Sequence, residues 1–123
     1  VNNDLSISVE MESEINKVTR ATGLNVLRAM VLPTPVDTGR ARGNWQASLV
    51  TPIETITNTS DKSGGSTINK GAVVISTAKS TRYPIIWISN NLPYIESLNS
   101  GSSTQAPAKF IETGIKRVVN SNG

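Results

Sequence analysis

Apolar residues recur along the chain in two rhythms, and the change from one to the other divides it into elements. From about Glu10 to Leu32, Met11, Ile15, Val18, Thr22 and Val26 fall on one stripe at helical spacing, and Leu27, Met30 and Val31 extend it. This predicts a long amphipathic helix that Pro33 ends. Ahead of it, Leu5, Ile7 and Val9 alternate with polar residues, which predicts a short extended arm at residues 4–9 within an N-terminal stretch 1–9. An earlier helix start, capped by Asp4 or Ser6, competes with that reading. Gly23 costs a helix interior about 1 kcal/mol relative to Ala, so its place mid-helix points to a kink or a close neighbour.

Beyond Pro35 the period shortens. In Trp45–Thr57, Trp45, Ala47 and Leu49 alternate, as do Ile53 and Thr55, predicting a strand interrupted or placed at an edge by Pro52. Residues 58–69, NTSDKSGGSTIN, have neither period nor apolar content and read as a mobile loop, a hairpin excursion. Gly71–Ala78 and Pro84–Ser89 read as further strands. Asn90 and Asn91 stop the second of these, Pro93 opens a short helical turn with Tyr94, Ile95 and Leu98 at helix spacing, and Gly101 suits a left-handed cap. Phe110, Ile111, Ile115, Val118 and Val119 predict a C-terminal amphipathic helix.

A length of 123 residues without repeats fits one domain over 1–123. The absence of Cys and His removes disulfides, thiolate and imidazole metal sites, and every acid–base scheme that uses imidazole. No catalytic set, cofactor or metal is expected. No apolar run approaches the roughly 20 residues that span a bilayer, and the N-terminus lacks a signal-peptide pattern, so the expectation is a soluble protein made in a cytoplasm with no membrane partner. The net charge is only +3 and the basic residues are scattered. The asymmetry lies in order: Asp4, Glu10, Glu12 and Glu14 come with no Lys or Arg in 1–16, and Lys17, Arg20, Arg28, Arg40 and Arg42 follow with only Asp37 against them. Acids ahead of bases suit a helix macrodipole; contact with a basic partner is the sharper account.

Candidate chemistry is sparse. Asp37-Thr38-Gly39 is the tripeptide of aspartic proteases, but Pro33 and Pro35 precede it where an apolar strand is usual, and the Arg40 guanidinium would oppose proton sharing in a carboxyl dyad. The bland alternative is a turn in which Asp37 accepts from the Gly39 or Arg40 N–H. Arg40 and Arg42 could clamp a phosphate or carboxylate, although ion pairs within a subunit or across an interface are preferred. Trp45 and Trp87 read as core anchors. A DNA-binding accessory role through Arg40, Arg42, Arg82, Lys116 and Arg117 is the second class of function, and the protease is the third. The stretch Ile88–Pro107 lacks catalytic residue types and reads as a contact surface, with Asn90, Asn91, Pro93, Tyr94, Glu96, Gly101, Ser102, Ser103 and Gln105 as its candidates.

Taken in order, a long helix, Pro35-Val36-Asp37-Thr38-Gly39-Arg40 with Arg42 and Trp45, then Asn90-Asn91-Leu92-Pro93-Tyr94-Ile95 with Leu98 and Gly101, and finally Gln105-Ala106-Pro107 make the chain resemble the HK97 gene-product-10-like family of tailed-bacteriophage neck or tail-completion proteins. That family is related to minor tail proteins of the lambda Z type. The resemblance covers nearly the whole chain. It departs at Ser102, where a Trp is usual, and at Lys109-Phe110, where Gly and an apolar residue are usual. It implies an α+β fold like that of tail terminators, with the N- and C-terminal helices packed on a small, mostly antiparallel sheet of about four strands. It also implies a non-enzymatic virion component, a homo-oligomeric ring at the head–tail junction around the DNA channel. The implied partners are copies of itself, neighbouring connector, stopper or adaptor proteins, tail tube or terminator proteins, and passing DNA bound without sequence specificity. In that setting Asp37, Thr38, Gly39, Arg40, Arg42 and Trp45 become a turn and assembly motif.

Overall fold

The computed structural model describes residues 2–79, 84–101 and 108–122, with side chains for 14–79, 84–101 and 108–120. In chain order the elements are α1 (Asn2–Val31), α2 (Arg40–Gly43), β1 (Gln46–Ser48), α3 (Gly65–Ser76), β2 (Trp87–Ser89), α4 (Ile95–Asn99) and α5 (Phe110–Asn122). The architecture is α+β, helices around a small antiparallel sheet. Among the described residues that sheet has two strands, with Gln46 opposite Ser89, Ala47 opposite Ile88 and Ser48 opposite Trp87.

Helix α1 organises the rest, since α3, α5 and β2 all pack on it. Its C-terminal turns supply Leu27, Met30 and Val31 to a core completed by Trp45, Ala47, Ile75, Leu92, Ile95 and Phe110. Two neighbours approach where they carry no side chain: Gly71 of α3 lies over Leu27, and a Cβ on Gly114 of α5 would stand 2.8 Å from the Ala29 carbonyl oxygen. Gly23 has the close neighbour its position suggested, because a Cβ there would meet Ile86 Cδ1 at 2.7 Å. The helix stops where Pro33 withholds an N–H, and the buried Thr34 hydroxyl donates back to the Met30 carbonyl. Residues 4–9, open between an extended arm and an earlier helix start, are part of α1.

The sheet is smaller than expected and one strand reading is overturned. Gly71–Ala78 lies mostly in α3, whose buried residues Thr67, Gly71 and Ile75 recur every fourth position. A short apolar run fits a buried helix as well as a strand, and the helix begins inside the polar stretch read as a loop. Within 58–69, therefore, Gly65–Asn69 is helical. Of the strand read over Trp45–Thr57, only Gln46–Ser48 pairs. Side-chain amides take the place of a partner strand further on: Asn91 donates to the carbonyls of Ile53 and Thr55, and Gln46 also donates to that of Thr55. Trp87 is not a core anchor; it is 39% exposed, because Ile86 and Ile88 turn toward α1 and alternation sends Trp87 the other way.

The ends of the short helices follow local rules. Gly101 takes φ 95° after α4 and donates its N–H to the Leu98 carbonyl, the left-handed cap expected there. Lys109 takes φ 63° just before α5, at the position where the resembled family carries Gly. A non-glycine side chain there costs about 1–2 kcal/mol, partly offset by the greater unfolded-state entropy of Gly. Lys109→Gly is expected to raise stability by about 0.5–1 kcal/mol, read as a higher urea midpoint at unchanged m-value.

Candidate functional site

The segment 33–45 folds into a knot of internal bonds. Thr38 Oγ1, rather than the Asp37 carboxylate, accepts the Arg40 N–H and opens α2. Gly39 follows at φ 85°, and its carbonyl accepts the N–H of Asp61. A Cβ on Gly39 would stand 2.6 Å from Lys62 N, and one on Gly43, a helical turn later, 2.6 Å from the Thr59 carbonyl oxygen. The two glycines thus let the backbone of 59–62 lie directly on α2. Arg42 holds the other side: Nε donates to Thr34 O, Nη1 to Lys62 O and Nη2 to Leu32 O, at 2.9, 2.7 and 2.6 Å. This replaces the ion pair expected of Arg42 with a clamp on the carbonyls that end α1. Trp45 is buried as expected, its Nε1–H donating to Thr34 Oγ1 at 2.9 Å.

Asn44 completes the knot. Its Nδ2 donates to the carbonyls of Arg40 and Thr57, and its Oδ1 accepts the Thr57 N–H at 2.8 Å, so the side chain stands in for one peptide of a missing strand. It is fully buried.

Asp61 anchors the next turn. Its Oδ1 accepts from Gly64 N–H and Ser63 Oγ, and its Oδ2 accepts from both the N–H and the hydroxyl of Thr67, the latter two at 2.7 Å. The stretch 58–64, read as mobile, is thereby tied to α2 at one end and to the first turn of α3 at the other. Burial tends to raise the Asp61 carboxyl pKa, but the bonds from Thr67, Gly64 and Ser63 outweigh it and hold the group below its ordinary value. A carboxylate whose folded pKa is depressed adds stability above its unfolded pKa of about 3.9 and loses it as pH falls through the folded value. Asp61→Asn turns one acceptor into a donor facing the Thr67 N–H. Its urea midpoint is expected well below that of the parent at pH 7, with the gap closing below about pH 4. A gap that stays constant into acid would show that the charge contributes nothing.

The turn after β2 meets this knot from the far side. Asn90 Nδ2 donates to the Ala41 carbonyl at 3.0 Å across 49 positions of sequence, while its Oδ1 accepts the Leu92 N–H. Asn91 reaches Ile53 and Thr55. Behind them Ile95 is buried and Leu98 half-buried, while Tyr94 is 39% exposed. Asn99 then links α4 to α5, its Oδ1 accepting the Ile111 N–H and its Nδ2 donating to the Glu112 carboxylate.

The expected assembly residues therefore divide. Gly39 and Trp45 are committed to the interior and the half-buried Arg42 spends its guanidinium on carbonyls of its own chain, whereas Asp37 and Thr38 are exposed and Arg40 is half-buried. In the second stretch Asn90 and Asn91 bond within the chain, and Pro93, Tyr94, Glu96 and Gly101 are exposed; Ser102, Ser103 and Gln105 lie outside the described residues. Of the basic residues considered for DNA, Arg42 is the carbonyl clamp, Arg82 lies outside the described residues, and Lys116 and Arg117 are exposed on α5. Sequence reasoning missed Asn44, Thr34 and Asp61. Only Asp61 carried a signal, an acid a few residues ahead of the Gly-Gly-Ser-Thr run that opens α3.

Comparison of the chain with protein families, with curated proteins and with solved structures finds no match. No helix among the described residues is long and apolar enough to cross a membrane.

Proposed function

We propose that the chain is a structural virion protein of the tailed-phage neck or tail junction, a homo-oligomeric ring that completes the tail or joins it to the head around the DNA channel. The observation that supports this most is that the two stretches carrying the resemblance, 35–45 and 90–98, form one joint through the Asn90–Ala41 bond. Residues that must coexist for a fold to close are expected to travel together in a family, however far apart they lie in sequence. On this reading the long N-terminal helix lies against a small terminator-like sheet, and the C-terminal helix packs on the N-terminal helix rather than on the sheet. Mechanism is then binding: the joint fixes the backbone, and Asp37, Thr38, Pro93, Tyr94 and Glu96 face outward toward neighbouring subunits, connector or tail proteins. DNA passes without sequence-specific contact, in keeping with the small net charge of +3.

Negative-stain imaging of the purified chain and of virions labelled on it tests the reading. A ring, located at the neck in virions, is the expected result. A monomer or compact dimer in every condition, with no label at the neck, would overturn it.

A further inference from the structure

An open apolar groove of about 420 Å³ runs between α1 and the β2 segment, walled by Val18, Thr22, Gly23 and Val26 on one side and Ile86 and Ile88 on the other. Its helical wall begins on the core side, where Gly23 is buried and Val26 packs against the core, and runs outward to the exposed Val18. Ile15, Val18 and Thr22 lie well round the helix from Leu27 and Val31, and Ile15 and Val18 remain 39% and 62% exposed. Ile85, beside the opposite wall, is 60% exposed. The first buried position of α1 among its described side chains is Gly23, and the helix, about 45 Å long by its 30 residues, is far longer than α3 or α5.

We infer that this groove receives the N-terminal segment of a second copy, residues 1–16, in a head-to-tail contact; the inference rests on the homo-oligomeric reading above. Two observations select that occupant. The segment interleaves Leu5, Ile7, Val9 and Met11 with Asp4, Glu10, Glu12 and Glu14 and has no basic residue. The charged side chains that follow Glu14 on α1 are Lys17, which pairs with Glu14 at 3.4 Å, Arg20, which donates to the Ala78 carbonyl, and Arg28, and those that follow Glu112 on α5, which packs on α1, are Lys116 and Arg117, all basic. An acidic, apolar segment thus complements an apolar groove on a basic body. The second observation is continuity: the segment belongs to the same helix whose later turns wall the groove, so without breaking α1 it cannot bend back into its own copy's site. A contact between unlike surfaces repeats from copy to copy and closes a ring when the rotation allows.

The chain has no Cys, so single cysteines report the contact cleanly. Full-length Glu12→Cys is mixed with full-length Ile85→Cys under mild oxidation, and in parallel with Val50→Cys, at an apolar position that is 89% exposed and lies outside the groove. The expected result is a mixed disulfide at least about tenfold faster with Ile85→Cys than with Val50→Cys, slowed several-fold by molar salt, which shortens the Debye length to about 3 Å. Adding Val18→Glu to the Ile85→Cys variant is expected to remove the preference. Equal rates for the two pairs overturn the docking; if imaging still shows rings, the ring reading stands without it, and if the chain is monomeric throughout, both fall. A preferred cross-link in a chain that forms only short oligomers supports the docking and overturns the ring.

Discussion

Gly39→Ala is expected to lower stability by about 3–4 kcal/mol, a large part of the 5–15 kcal/mol that holds a typical domain folded. Two independent costs add. The residue sits at φ 85°, where a Cβ crowds its own backbone, and that Cβ would also stand 2.6 to 2.8 Å from Lys62 N, Asp61 C and Asp61 N. These are backbone atoms, so no rotamer change relieves them; the 59–62 segment must lift off α2, stretching the bond from Asp61 N–H to Gly39 O and disturbing the Arg42 bond to Lys62 O. The control is Gly65→Ala in the first turn of α3, where the added Cβ meets only Ser63 Oγ at 3.4 Å. That substitution is expected to be neutral or to raise stability by about 0.5–1 kcal/mol. Urea midpoints of the two variants decide the matter: equal shifts would mean that the turn at Gly39 is not under the constraint its geometry implies.

Asn44→Leu is expected to cost about 2–4 kcal/mol, since it keeps the volume but leaves the half-buried N–H of Thr57 and the carbonyls of Arg40 and Thr57 without their amide partner. Asn44→Asp separates hydrogen bonding from packing. The carboxylate still accepts the Thr57 N–H, but its other oxygen faces two carbonyls where Asn placed a donor, inside a fully buried site. Both burial and the carbonyls raise the folded pKa of such a group, so the destabilisation should be larger at pH 8 than at pH 5, where a protonated carboxyl recovers one donor. A pH-independent loss would indicate that the peptide segment at Thr57 relaxes away from position 44.

Much of the helical framework was legible because its signals are local. Pro33 marks the end of α1, Pro93 and Gly101 bracket α4, and the spacing of Phe110, Ile111 and Val118 marks α5. Helix α3 was not legible, because its first half is polar and its second half, with Val73, Val74 and Ile75, is as acceptable to a strand. The location of the paired strands was readable, but their three-residue lengths were not. What limits them is that Gln46, Asn44 and Asn91 bond the 53–57 backbone through side chains, and no periodicity in that segment reports partners elsewhere in the chain. The same holds for the site. Asp37, Thr38 and Gly39 were visible as a turn, but the clamp made by Arg42 and the rung made by Asn44 depend on which backbone groups the fold brings to them.

The amide-held segment 53–57 has a consequence for how this molecule can change. Its anchors grip only main-chain atoms, so the side chains of Glu54, Thr55 and Ile56 stay exposed and take no part in holding their own backbone. A stretch gripped in this way can drift in sequence while its course in space stays fixed. Lineages that face different partners could rewrite those three positions without renegotiating the fold, and the invariant cost would fall on Asn44, Gln46 and Asn91 instead.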